Sequence, residues 1–164
     1  MATKTTKRTT KSKGAKVKAN SITPFLWYER GAEEAARFYV SLVAGSRIKE
    51  TSPMSTSFSL GGQDFIAFNG GPDLKLNPAF SVFVEVNTQD EIDTLWEQLT
   101  ADGGEESRCG WLVDRFGLSW QIIPKALPKL LFHKDPGVRE RAMQAMLKMQ
   151  KIDLAELQAA AKGR

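Results

Sequence analysis

The chain is short of the residues that most often carry chemistry: its 164 residues include one cysteine, Cys109, and one histidine, His133. A single cysteine cannot pair within the chain, so no disulfide framework holds the fold, and the expected compartment is a reducing one, the cytoplasm. One histidine excludes paired imidazole ligands. It also lies in "LLFHKDP", far along the chain from Cys109, so a Cys-His nucleophile pair is not indicated. No stretch approaches the roughly 18 to 20 continuous apolar residues of a membrane span, and the N-terminus lacks the apolar core of a secretory signal. Neither G-x-G-x-x-G nor G-x-x-x-x-G-K-S/T occurs. Gly61-Gly62, Gly70-Gly71 and Gly103-Gly104 fall at strand turns or a helix end, which argues against a nucleotide-binding or methyl-donor turn between a parallel strand and a helix.

Acidic residues are missing from one region only. Residues 1 to 20 carry six lysines and Arg8 and no carboxylate, whereas the rest of the chain has 16 basic against 19 acidic residues. The net charge of +4 therefore belongs to a tail, and the remainder is mildly acidic. Rich in Thr, Lys and Ser and almost without large apolar side chains, residues 1–20 are expected to be a disordered basic tail. Its plausible contact with nucleic acid is weak and phosphate-directed.

What the chain does have is a repeated pattern. "ITPFLWY" reads as a strand and "AEEAARFYVSLV" as an amphipathic helix with Ala35, Phe38, Tyr39 and Leu42 on one face. "SRIKETSP", "STSFSLGG" and "QDFIAFNGG" follow as three short strands. The order then recurs. "AFSVFVEV" is an alternating strand, and "TQDEIDTLWEQLTADGG" a helix with Thr88 and Glu91 as a capping box and an Ile92, Leu95, Trp96, Leu99 stripe. "EESR", "CGWLV" and "LSWQIIP" complete the second set. Two β-α-β-β-β modules, 21–72 and 78–124, form an expected domain over 21–124 in an α+β fold. Residues 125–164 form a helical extension, with Asp135 capping a helix begun at Pro136 and "DLAELQAAA" as a shorter one.

Paired modules of this kind, with "FY" ending the first helix and a "D-x-F-G-x-x-W-Q" hairpin, resemble the vicinal-oxygen-chelate superfamily of glyoxalase, bleomycin resistance and extradiol dioxygenase proteins. "FNGGP", "NPAFSVFVEV", "EIDTLWEQL", "RCGWLVDRFGLSWQIIP" and "RAMQAMLKMQKIDLAEL" are similar to its PhnB-like branch, also labelled 3-demethylubiquinone-9 3-methyltransferase-like. The resemblance implies two half-barrel sheets curling around a cavity with helices outside, and pairing as a homodimer. In metal-using relatives a divalent ion is held by His or Glu on the first and last strands of each module. Those places fall here on Pro24, Ala67, Ser81 and Gln121, which offer no strong donor set, so no metal and no cofactor is expected.

If those four positions face the cavity, strand alternation places Leu26, Tyr28, Phe65, Asn69, Phe83, Glu85 and Ser119 beside them. The opposite, helix-covered set is Phe25, Trp27, Ile66, Phe68, Phe80, Val82, Val84, Val86, Trp120 and Ile122. The cavity set is mostly apolar with a few polar groups, the composition of a small-molecule pocket. Glu85 and Tyr28 are the candidate acid-base residues; Leu26, Tyr28, Phe65, Asn69, Ser81, Phe83, Trp111, Ser119 and Gln121 are the candidate ligand contacts. Trp111 depends on register. An even turn at Asp114 to Gly117 sets it opposite Trp120 on the helix side, whereas a one-residue slip joins Cys109, Trp111 and Gln121 in the pocket. The function expected is metal-free binding of a partly apolar or aromatic small molecule, with an acid-base isomerase, lyase or transferase as the alternative.

Overall fold

The computed structural model describes residues 16–164; the N-terminal tail over 1–15 lies outside the described residues. Strand β1 (Phe25–Tyr28) leads into helix α1 (Ala32–Leu42), and β2 (Arg47–Thr51), β3 (Ser55–Leu60) and β4 (Gln63–Asn69) form the meander that follows. The second module repeats this with β5 (Ser81–Val86), α2 (Gln89–Thr100), β6 (Glu105–Glu106), β7 (Trp111–Val113) and β8 (Ser119–Pro124). The sheet orders, β1-β4-β3-β2 and β5-β8-β7-β6, are the same. In each, the first strand runs parallel to the last and the other pairings are antiparallel. Parallel neighbours need a crossover, and the helix of each module supplies it. These are the two half-barrel modules of an α+β fold. Of the expected strand "EESR", only Glu105–Glu106 pairs.

Local chemistry sets the helix ends. Thr88 accepts from the Glu91 amide at 3.2 Å while the Glu91 carboxylate accepts from the Thr88 amide at 3.0 Å, completing the capping box. α1 starts after Gly31 at φ 81, with Asn69 Oδ1 of β4 accepting its first amide, from Ala32, at 2.9 Å. The expected helical stripe of α1 buries Ala35 and Tyr39 fully, with Phe38 and Leu42 partly covered.

One core spans both modules. Tyr39 of α1 lies 5.2 Å from the Trp120 ring and 6.0 Å from that of Phe116, both in module two, and 6.2 Å from that of Phe58 in its own sheet. Arg115, in the β7–β8 loop, stacks over Phe38 at 4.4 Å and Phe116 at 4.8 Å and pairs with Asp102 at 3.1 Å. Beneath them Asp114 is buried: Oδ1 accepts from the Phe116 and Leu118 amides, and Oδ2 from Trp120 Nε1 at 2.8 Å.

Beyond β8 the chain forms α3 (Ala126–Leu131), α4 (Pro136–Met146) and α5 (Leu154–Ala161), of which the sequence pattern anticipates the last two. They pack around Ile123, Leu127, Ala142, Met149, Ile152 and Leu157 as a second core on the sheet face opposite α2. The Cys109 and Gly110 amides donate to the Met149 and Gln150 carbonyls at 2.8 and 2.7 Å. Gln89 ties the same segment to α2, accepting from the Leu154 amide at 2.8 Å and donating to the Ile152 carbonyl at 3.2 Å. His133, whose Nδ1 accepts from the Asp135 amide, shapes the entry to α4.

Two expectations about side-chain direction are corrected here. In module one the faces are reversed. Leu26, Tyr28, Phe65 and Ala67 are buried in the core that α1 covers, whereas Phe25 is 55% exposed and Trp27, Ile66 and Phe68 share its open face. Both faces of β1 are apolar, so alternation alone carries no sign. In module two Trp120, Ile122 and Val86 do lie on the helix side, but Phe80 precedes β5 and is 40% exposed. The hairpin register is the slipped one. The loop 114–118 is odd in length, and Trp111 pairs with Gln121 while Leu112 pairs with Trp120.

Candidate functional site

The free edge of β5 faces the end of module one across a cleft of about 540 Å3. Val43 after α1, Leu60 and Phe65 supply the apolar wall from module one, and Phe80, Phe83 and Val84 that from module two. Gln63, Ser81 and Glu85 are its polar side chains. β5 pairs only with β8, so its other edge is open, and alternation puts Ser81, Phe83 and Glu85 on the sheet face away from α2. Phe83 is 54% exposed at the mouth, whereas Phe65 is buried and stacks on Phe58 at 5.4 Å.

Four of the candidate residues therefore meet at one place: Phe65, Ser81, Phe83 and Glu85. Gln121 adjoins them, its Nε2 donating to Ser81 Oγ at 2.8 Å, and Trp111 stands beside Gln121 in the sheet. Ser119 opposes Ser81 on β8, buried, with its hydroxyl unpartnered among the described residues.

The other candidates lie under α1. Leu26 is core. Asn69 is committed to structure, accepting from Ala32 and donating from Nδ2 to the Pro53 carbonyl at 3.1 Å. Tyr28 shares a buried hydrogen bond of 3.1 Å with Tyr39. Burial pushes both phenols well above their ordinary range, and the nearby Asp114 carboxylate adds to the effect. A phenol that resists ionisation is a poor base, and this one is not at the cleft. Cys109 sits at φ 59 on the seam with the extension, away from the cleft lining.

Of the cleft residues outside the expected set, Val43 stands at a helix end and Leu60 and Gln63 at strand ends, where periodicity assigns direction poorly, and Phe80 was expected on the helix-covered face. Phe80 alone left a signal, as a large aromatic just before a strand.

The four positions expected to hold a divalent ion in metal-using relatives, Pro24, Ala67, Ser81 and Gln121, do not form a ligand set here. Ala67 points under α1, and Ser81 and Gln121 bond each other. No group of three or more His, Cys, Asp or Glu lies close enough to hold an ion among the described residues. No helix there is long and apolar enough to cross a membrane.

Residues 20–123 match the family described as 3-demethylubiquinone-9 3-methyltransferase. The PhnB protein from Bacillus cereus is 32% identical with a TM-score of 0.58, over 64% of this chain and 99% of that one. Protein PA1353 from Pseudomonas aeruginosa is 19% identical with a TM-score of 0.53, over 65% of this chain and 98% of that one. Protein SA1046 from S. aureus, at 18% identity and a TM-score of 0.50, covers 66% of this chain with 95% of its own. The last two bear on the fold alone. No curated protein matches the sequence. With the repeated modules, the shared sheet order and these matches in agreement, the chain belongs to the PhnB-like branch of the vicinal-oxygen-chelate superfamily, a scaffold of small-molecule binding and enzymatic proteins.

Proposed function

We propose that this chain is a metal-free small-molecule-binding protein of the cytoplasm, holding a partly apolar or aromatic ligand in the cleft between its modules. The observation that carries this reading is the lining of the cleft: phenylalanine and aliphatic walls with Gln63, Ser81 and Glu85 placed to orient a ligand. Phe65, Ser81 and Phe83 are the contacts we assign, with Gln121 holding Ser81. The test is titration with the neutral fluorophore N-phenyl-1-naphthylamine. Saturable one-site binding is expected in the wild type, with loss in a Ser81→Trp variant that fills the cleft and keeps the wild-type melting profile. Unsaturable binding, or binding indifferent to Ser81→Trp, overturns the reading. Native mass spectra of untreated protein test the metal: one divalent ion per chain would sink that part.

The acid-base alternative now rests on Glu85, the one candidate base at the cleft. An isomerase, lyase or transferase working through it would lose on the order of 10²-fold in turnover on Glu85→Gln.

We also assign the open sheet face to a second copy of the chain. Phe25, Trp27, Ile66 and Phe68 form a largely aromatic row on module one that no helix or strand of the described residues covers. Sedimentation should report twice the 18.2 kDa chain mass, and Phe25→Asp should return it to one. A monomer at micromolar concentration in the wild type refutes the assignment.

A further inference from the structure

The charge of the cleft narrows the ligand further, an inference that rests on the binding reading above. Glu85 is the one ionisable side chain in its lining, and no Lys, Arg or His is present there. Three other concavities are each lined by two or three basic groups: Arg30, Lys75 and Arg115 in one, Arg108 and Lys148 in another, and His133, Arg141 and Lys162 in the third. Like most carboxylates of the chain, Glu85 forms no ion pair among the described residues. The hollow of about 410 Å3 that shares Val43, Val84 and Glu85 with the cleft adds Asp90 and Glu91 and again no base.

An exposed carboxylate without a cationic partner, in a lining it shares with Phe80 and Phe83, has two ways to favour a positive ligand. The charges attract, and the negative ring faces of Phe80 and Phe83 attract the same cation. An anion meets repulsion from Glu85 and no compensating donor of positive charge. We propose that the cleft selects organic cations with a flat aromatic or apolar body, such as arylalkyl amines, which are protonated at neutral pH, or quaternary nitrogen heterocycles. Phe83 faces the ring system at the mouth, and Glu85 sets the sign of the charge.

Three probes of nearly one shape separate charge from size: N-methylquinolinium, quinoline (neutral at pH 7.5) and naphthalene-1-sulfonate, each titrated calorimetrically into the full chain at low salt. We expect the cation to bind about fivefold or more tighter than quinoline, with the sulfonate weakest. Glu85→Gln should remove most of that preference, bringing the ratio of cation to quinoline affinity toward one. Phe83→Leu, which keeps apolar bulk but loses the ring face, should weaken the cation more than quinoline. If quinoline or the sulfonate binds as tightly as the cation, or if the preference survives Glu85→Gln, the cation assignment is wrong while small-molecule binding stands. If none of the three binds, both readings fall.

Discussion

Asp114 shows what a single side chain costs and returns in this fold. Burial raises its pKa, against the pull of hydrogen bonds from Trp120, Leu118, Tyr39 and Phe116. A folded pKa above the unfolded one means the native state binds more protons between the two values, so stability from this group falls as pH rises through that window and is fully present below the unfolded pKa. Asp64, Glu91 and Asp93 act oppositely: Lys49, the Asn87 and Thr88 amides, and Lys151 hold them low, so their contribution is lost on acidification. Asp114→Asn is expected to destabilise by about 1–3 kcal/mol at pH 7, because an amide NH2 would face the Trp120 N–H or a backbone amide. The gap between wild type and variant should widen from pH 7 to pH 4, as urea midpoints at the two values would report. A gap that narrows would contradict the direction of the Asp114 shift. Gly70 is a steric counterpart. A Cβ there would fall inside the Trp27 ring, whose Nε1 donates to the Gly71 carbonyl at 3.0 Å. Gly70→Ala should therefore cost about 1–3 kcal/mol in denaturant unfolding.

Helices and strands were legible in the sequence to the extent that a pattern had one sign. α2 announces itself through Thr88, Glu91 and its leucine stripe, and module two alternates Ser81, Phe83 and Glu85 against Val82, Val84 and Val86, so its faces could be assigned. β1 reads Phe-Leu-Trp-Tyr, apolar at every position, and only the partner of each face decides which is inside. The hairpin register stayed open for a different reason: a five-residue loop in which Asp114 turns back on the Phe116 and Leu118 amides has no length signal in "DRFGL". Leu26, Tyr28 and Asn69 left the candidate site with the parity of module one, while Phe65 and the residues on β5 line the cleft. The extension offers an element-level test. Gln89→Ala removes contacts to Ile152, Leu154 and Asp93 and should loosen residues 149–154 by about 1–3 kcal/mol. Faster hydrogen exchange at the Cys109 and Gly110 amides, which this segment covers, is the measurement; unchanged protection would show that the apolar core alone holds it.

The two modules share one core through Tyr39, so neither is a separate folding unit. Calorimetry of the full chain should give a single transition for both modules, with the van't Hoff enthalpy close to the calorimetric one, and Tyr39→Ala should lower it as a whole. Two resolved transitions would mean that the aromatic bridge to Phe116 and Trp120 couples weakly. The chain also carries one thiol, and it sits where β7 meets the extension, with its own amide bonded to Met149. A maleimide dye added to wild-type protein therefore labels one known position without engineering. The thiol is half-buried there, so a dye on it reports the surroundings of the seam between β7 and the C-terminal helices.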